Sequence, residues 1–194
     1  MPPAEDIQRY LTGVWRMMMG RNEGLSLLDI SADGFWTSFF AIVLALPALL
    51  LRWITLGNDL SGPDEGTFSL MLRLGLIDLC VWVLPLIALM LIGPRAGFGD
   101  RIVHCVVSIN WSSAILVWIA LPPIIVLALW PDALDIAVLL SLVVYLLTIF
   151  LTWRLLNIAL AKGGAFAAGV LAGLVIGGLF IQFLMQDMFG IAAQ

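Results

Sequence analysis

Charge is scarce in this chain. Only 11% of its 194 residues are Asp, Glu, Lys or Arg, where a soluble domain of this size carries about 25%. That deficit excludes an ordinary water-covered surface and places the sequence in the membrane class. Histidine is nearly absent too: with His104 alone, a multi-histidine metal site within one chain is excluded, and no cofactor is expected. The two cysteines, Cys80 and Cys105, fall inside apolar runs and read as small buried hydrophobes. No basic patch exists, so nucleic acid is not an expected partner. No Gly-x-Ser-x-Gly elbow, His-Glu-x-x-His pair or glycine-rich phosphate loop occurs. The spacing of Asp78 and Asp187 gives no protease-type dyad, and the chain is not expected to be an enzyme. No segment alternates with period two as a membrane barrel strand would.

Long apolar runs are what the chain has instead. Five are long enough to span about 30 Å of hydrocarbon, which takes roughly 20 helical residues: about 35–54, 68–92, 102–130, 133–155 and 165–188. Backbone polar groups in lipid must be satisfied within each segment, so these runs are helices. The expected fold is an all-α membrane protein, a five-helix transmembrane bundle over 35–190. Residues 1–34 form a cytoplasmic helix and connector ahead of it. Basic residues orient the bundle. With the N-terminus inside, the cytoplasmic segments hold seven of the nine, namely Arg9, Arg16, Arg21, Arg95, Arg101, Arg154 and Lys162. Arg52 and Arg73 bracket the first external loop, and the C-terminus lies outside. Trp36 and Trp153 fall at the inner face and Trp53 and Trp130 at the outer face, as aromatic belts do. Trp82, Trp111 and Trp118 lie deeper and pack between helices. The expected location is a bacterial inner membrane.

The segment "EDIQRYLTGVWRMMM" gathers Ile7, Tyr10, Leu11, Val14, Trp15, Met17 and Met18 on one helical side. It is expected as an amphipathic helix lying on the cytoplasmic leaflet, with Arg9 and Arg16 toward lipid headgroups; packing under the bundle is the competing arrangement. Gly20 and Gly24 end it. The apolar connector that follows tucks into the bundle end, and Ser31 or Asp33 caps the first span. That span lacks a short apolar core with a cleavage site, so it is expected to be retained rather than removed as a signal peptide.

Pro47, Pro85 and Pro122–Pro123 interrupt the first three spans and are expected to kink them. Beyond Pro122 the third run is expected to bend along the outer surface. In the fifth span Ala165, Gly169, Gly173 and Gly177 recur every four residues. This stripe allows close helix approach, inside the bundle or against another copy; internal packing is the expectation. Candidate polar positions within the membrane are Asp78, Asn110, Ser112, Ser113 and Gln182. An ionisable residue in a span marks function by default. Arg73 reaches the outer surface, which puts Asp78 only about 7.5 Å deeper. Asp78 is therefore expected to anchor one helix to another, with Gln182 as its partner.

"LLDISADGFW", with Asp29, Gly34, Phe35 and Trp36, resembles the polar aromatic stretch that precedes the first span in the Yip domain family. "INWSSAILVWIALPP" resembles that family's polar, proline-bearing third span. The resemblance runs from Leu25 to about Phe189 and implies a prokaryotic-type member with five closely spaced spans. Two functions compete. The expected one is a non-enzymatic membrane adaptor, organiser or accessory subunit whose partners are the bilayer, other membrane proteins or a second copy of itself. The alternative is a small, oligomeric transporter or channel using Asp78 and the polar face of the third span.

Overall fold

Pro3 cannot donate a hydrogen bond, but its carbonyl accepts from the N–H groups of Asp6 and Ile7, each at 3.1 Å. From there α1 runs Ala4–Met18, with Glu5 and Asp6 in its first turn, where the helix dipole favours acids. The helix stops at a Schellman turn. Gly20 donates to the Met17 carbonyl (2.8 Å) and Arg21 to that of Arg16 (2.9 Å), while Gly20 sits at φ +79°. Far along the chain, Arg154 reaches back to this turn and donates from Nη2 to the Met19 carbonyl at 2.6 Å.

The computed structural model describes residues 2–60 and 67–191. After a 3₁₀ turn over Asn22–Leu27 come α2 (Ala32–Ser38), α3 (Ala41–Leu60), α4 (Thr67–Ile92), α5 (Ile102–Ile119), α6 (Leu121–Leu129), α7 (Leu134–Leu160) and α8 (Gly164–Met188). No strand occurs among the described residues, and five helical stretches are long and apolar enough to cross a membrane. The expected all-α bundle is therefore the fold. Of the loop expected at 55–67, residues 61–66 lie outside the described residues, while α3 continues to Leu60.

Local chemistry explains the breaks. The first span starts at Ala32 rather than Phe35 and is built from α2 and α3. Ser31 caps it, its hydroxyl accepting from the Gly34 N–H at 3.0 Å. Asp29 buttresses that cap by accepting from the Ser31 N–H at 2.9 Å. The third span divides at Ala120, and α6 begins afresh with Pro122 and Pro123 in its first turn, where a missing N–H costs nothing. Pro47 and Pro85 lie inside α3 and α4, and neither helix is interrupted there.

Packing is dense at the α1 end of the bundle. Val14, Met17 and Met18 of α1 are buried among Cys105, Val106, Trp111, Leu155 and Leu160 of α5 and α7, and the Tyr10 and Trp111 rings lie 5.1 Å apart. This corrects the expectation of a helix lying on the leaflet. The apolar face of α1 is covered by protein, because each side chain so buried gains about 1.5–3 kcal/mol over exposure to water. The connector folds onto α1, through a backbone approach that only glycine permits. A Cβ on Gly24 would sit 2.4 Å from the Gly13 carbonyl oxygen and 2.9 Å from the Met17 nitrogen.

Two outcomes follow from this end of the molecule. Gly24→Ala should lift the connector from α1 and raise the rate of limited proteolysis across residues 20–30; an unchanged cleavage pattern would show that the close approach is not needed. Hydrogen bonds from Ser31, side chain first and then backbone, hold the Asp29 carboxyl below its ordinary pKa. Its contribution to stability is thus complete above about pH 4, the ordinary carboxylate value, and is lost as pH falls through the depressed pKa. Asp29→Asn should remove that acid-side loss from a thermal-melt series in detergent, and an identical pH profile would count against it.

Candidate functional site

A carboxylate inside a span needs a compensating partner, and for Asp78 the partner is on the neighbouring helix. Arg52 of α3 donates through Nη2 to both oxygens of Asp78 on α4. Trp53, the next residue, donates its indole N–H to Oδ2 at 2.6 Å. Gly75 makes room for the indole: a Cβ there would meet the Trp53 ring at 3.2 Å. One glycine a turn before Asp78 thus lets the ring lie against α4.

Gln182 is therefore not the partner of Asp78, contrary to expectation. The arginine was read at the loop, yet its side chain turns inward. The signal was present in the sequence. Arg52 lies eight residues before the end of α3 and Asp78 eleven after the start of α4, or about 12 and about 16 Å along helices that rise 1.5 Å per residue. Consecutive spans run antiparallel, so opposite charges at matched depth are placed to meet.

Around this pair α3, α4 and α5 enclose a cavity of about 330 Å³, whose polar lining is Arg52, Trp53, Asp78, Trp82 and Ser113. A second cavity, about 470 Å³, lies toward α7 and α8 and is lined by Tyr145, Thr148, Thr152 and Gln182; Trp82 and Ser113 border both. Asp78 and Ser113 thus share one chamber, and Ser113 and Gln182 the next. The other two candidates go elsewhere. Asn110 is buried and donates from Nδ2 to the Ser38 hydroxyl at 2.8 Å. Ser112 donates to the Ile109 carbonyl within its own helix. Ser113 donates likewise to the Asn110 carbonyl at 2.7 Å. Sequence reasoning missed Arg52, Trp53 and Ser38 as partners, and Trp82 as a wall.

The small-residue stripe behaves differently from expectation. Ala165, Gly169, Gly173 and Gly177 line an apolar groove of about 490 Å³ facing Pro85, Leu89 and Ile92. A Cβ on any of the three glycines would meet nothing within 4 Å. Internal close packing is therefore not what the stripe does. The rings of Phe98 and Phe166 meet edge to face at 5.7 Å at the end of this groove. On the α1 side, Arg9 pairs with Asp6 at 3.0 Å and lies over the Tyr10 ring; Arg16 is half-buried in the last turn of α1. Cys80 and Cys105 are both free thiols. No cluster of three metal-ligating side chains occurs among the described residues.

Comparison with protein-family models, with curated proteins and with solved structures returns no match. The fold itself defines the class, an all-α integral membrane protein with five spans.

Removing the Asp78 charge should expose the worth of the pair. Asp78→Asn leaves the Arg52 guanidinium uncompensated and should cost about 1–3 kcal/mol. An Arg52→Gln/Asp78→Asn double variant should recover part of that loss. Thermal unfolding in detergent reads both, and a double-mutant coupling of zero would show that the pair carries no stability.

Proposed function

We propose that the chain is a non-enzymatic adaptor or accessory subunit of a bacterial inner membrane, N-terminus cytoplasmic and C-terminus external, that binds another membrane protein through α8. The observation that carries this reading is the uncovered stripe. Small residues at i, i+4, i+8 and i+12 let a second helix approach backbone to backbone, and among the described residues no atom comes within 4 Å of where a Cβ on Gly169, Gly173 or Gly177 would sit. Pairing of Asp78 within the chain adds support, because a compensated carboxylate is an anchor before it is a carrier. The Yip resemblance points the same way, toward a small five-span protein without a catalytic domain. Headgroup contact by Arg9 and Arg16 belongs to this proposal.

The transporter alternative keeps one observation in its favour, the two chambers that meet at Trp82 and Ser113. It requires Asp78→Asn to abolish flux in proteoliposomes while assembly is unchanged.

Affinity purification in mild detergent, followed by mass spectrometry, should recover a stoichiometric membrane partner or a homo-oligomer. Gly173→Leu should release it at unchanged expression. Recovery of the chain alone, or retention of the partner by Gly173→Leu, would sink the adaptor reading through α8.

A further inference from the structure

We propose that the chamber between α3, α4 and α5 binds the carbonyl oxygen of a membrane-dissolved amphiphile, either the ester carbonyl of a diacyl lipid or the ring carbonyl of a quinone. This site is independent of the adaptor reading.

Hydrogen-bond accounting selects the ligand's chemistry. Within the chamber Asp78 accepts from Arg52 and Trp53, and the Ser113 hydroxyl proton is committed to the Asn110 carbonyl. Two donors remain. Arg52 Nε and Trp82 Nε1 are both buried and have no hydrogen-bond partner. A guanidinium and an indole can only donate, so the complement to this surplus is an acceptor. A buried donor left unmade costs about 1–3 kcal/mol, which an arriving acceptor oxygen would recover.

Charge narrows the acceptor. The guanidinium and the Asp78 carboxylate already compensate each other, so a phosphate or carboxylate would bring an unmatched anion beside Asp78. A neutral carbonyl satisfies the donors without that penalty. Apolar walls and few polar groups suit an otherwise hydrophobic molecule, and about 330 Å³ is at the small end of ligand cavities. That volume takes a ring or a glycerol-ester region, with the tail outside.

Access agrees with a ligand arriving from the bilayer. Leu46 and Leu79 line the chamber yet are 40% and 43% exposed, so its mouth opens sideways on the lipid-facing surface. Arg73 donates to the Phe189 carbonyl at the end of α8 and marks the nearby end of the bundle. Asp78 lies five residues further in, about 7.5 Å.

The test uses the full chain in a maltoside detergent, which has no carbonyl group. A short-chain diacylphosphatidylcholine, its dialkyl-ether counterpart and decylubiquinone are titrated separately, with bound molecules counted by native mass spectrometry. Saturable binding of one ester lipid or one quinone per chain is expected, and which of the two binds identifies the source. The ether lipid should not compete. Trp82→Phe keeps an aromatic ring at this wall, removes one donor and should weaken binding about tenfold, the scale of one hydrogen bond. Absence of saturable binding, equal binding of the ether lipid, or an unchanged affinity in Trp82→Phe would each overturn the proposal.

Discussion

Compensation of one carboxylate sets the geometry of half this molecule. A charged Asp near the middle of a span costs about 2.5–3.5 kcal/mol on insertion scales, so Asp78 is tolerated only with its partner supplied. The partner comes from α3, and supplying it fixes the register of α3 against α4, since Arg52 and Trp53 must both reach the same carboxylate. Gly75 is part of the same constraint because it receives the Trp53 ring. Two adjacent residues on one helix and two on the next, a turn apart, therefore lock the pair of spans. The chamber lies beside this contact, lined by the same three side chains.

The opposite end obeys another rule. Around Trp111 the core is made of Val14, Met17, Met18, Val106, Leu155 and Leu160, all at most 1% exposed. Its buried polar atoms are few: Asn110 bonds to Ser38, and the Ser108 hydroxyl points at the Met17 sulfur at 3.9 Å. Here α1 acts as a plug, held by its apolar face, by the Gly13–Gly24 approach and by Arg154 on the Met19 carbonyl. The bundle is closed at one end and chambered at the other, and its polar side chains within the spans are distributed accordingly.

That contrast explains what could be read from the sequence. The five spans were legible because length and hydropathy are local properties, and a helix is the only answer lipid permits a lone segment. A cap at Ser31 or Asp33 was legible for the same reason, and Ser31 is the residue that supplies it. The α1 face was misassigned because a stripe of apolar residues says that something covers it, and lipid and protein cover it equally well in a one-dimensional reading. The α8 stripe failed in the opposite sense: small residues permit close approach without supplying the side chains that fill the space over Gly169, Gly173 and Gly177. Asp78 does tie one helix to another, but it is the twelfth of the 26 residues of α4 rather than near one end, and its partner is Arg52 rather than Gln182 of the fifth span. Depth-matching of charges in adjacent antiparallel spans would have found it.

In a soluble protein a large exposed apolar surface is informative; in a bilayer it is the default, and Ile136, Leu139, Phe180 and Phe183 facing outward say nothing about partners. Information resides where the match to lipid fails. A lipid tail can fill the shallow space over Gly169, Gly173 and Gly177 only by ordering itself in a narrow channel, whereas a helix brings a rigid surface already shaped for it. Nor can a lipid tail satisfy Arg52 Nε or Trp82 Nε1, because it carries no acceptor. The two proposals assign different occupants, a helix without bulky side chains to one place and an oxygen atom to the other, and the two features lie at successive levels along α4. One span thereby serves two surfaces: Asp78 and Trp82 toward the chamber, Pro85 and Leu89 toward the groove.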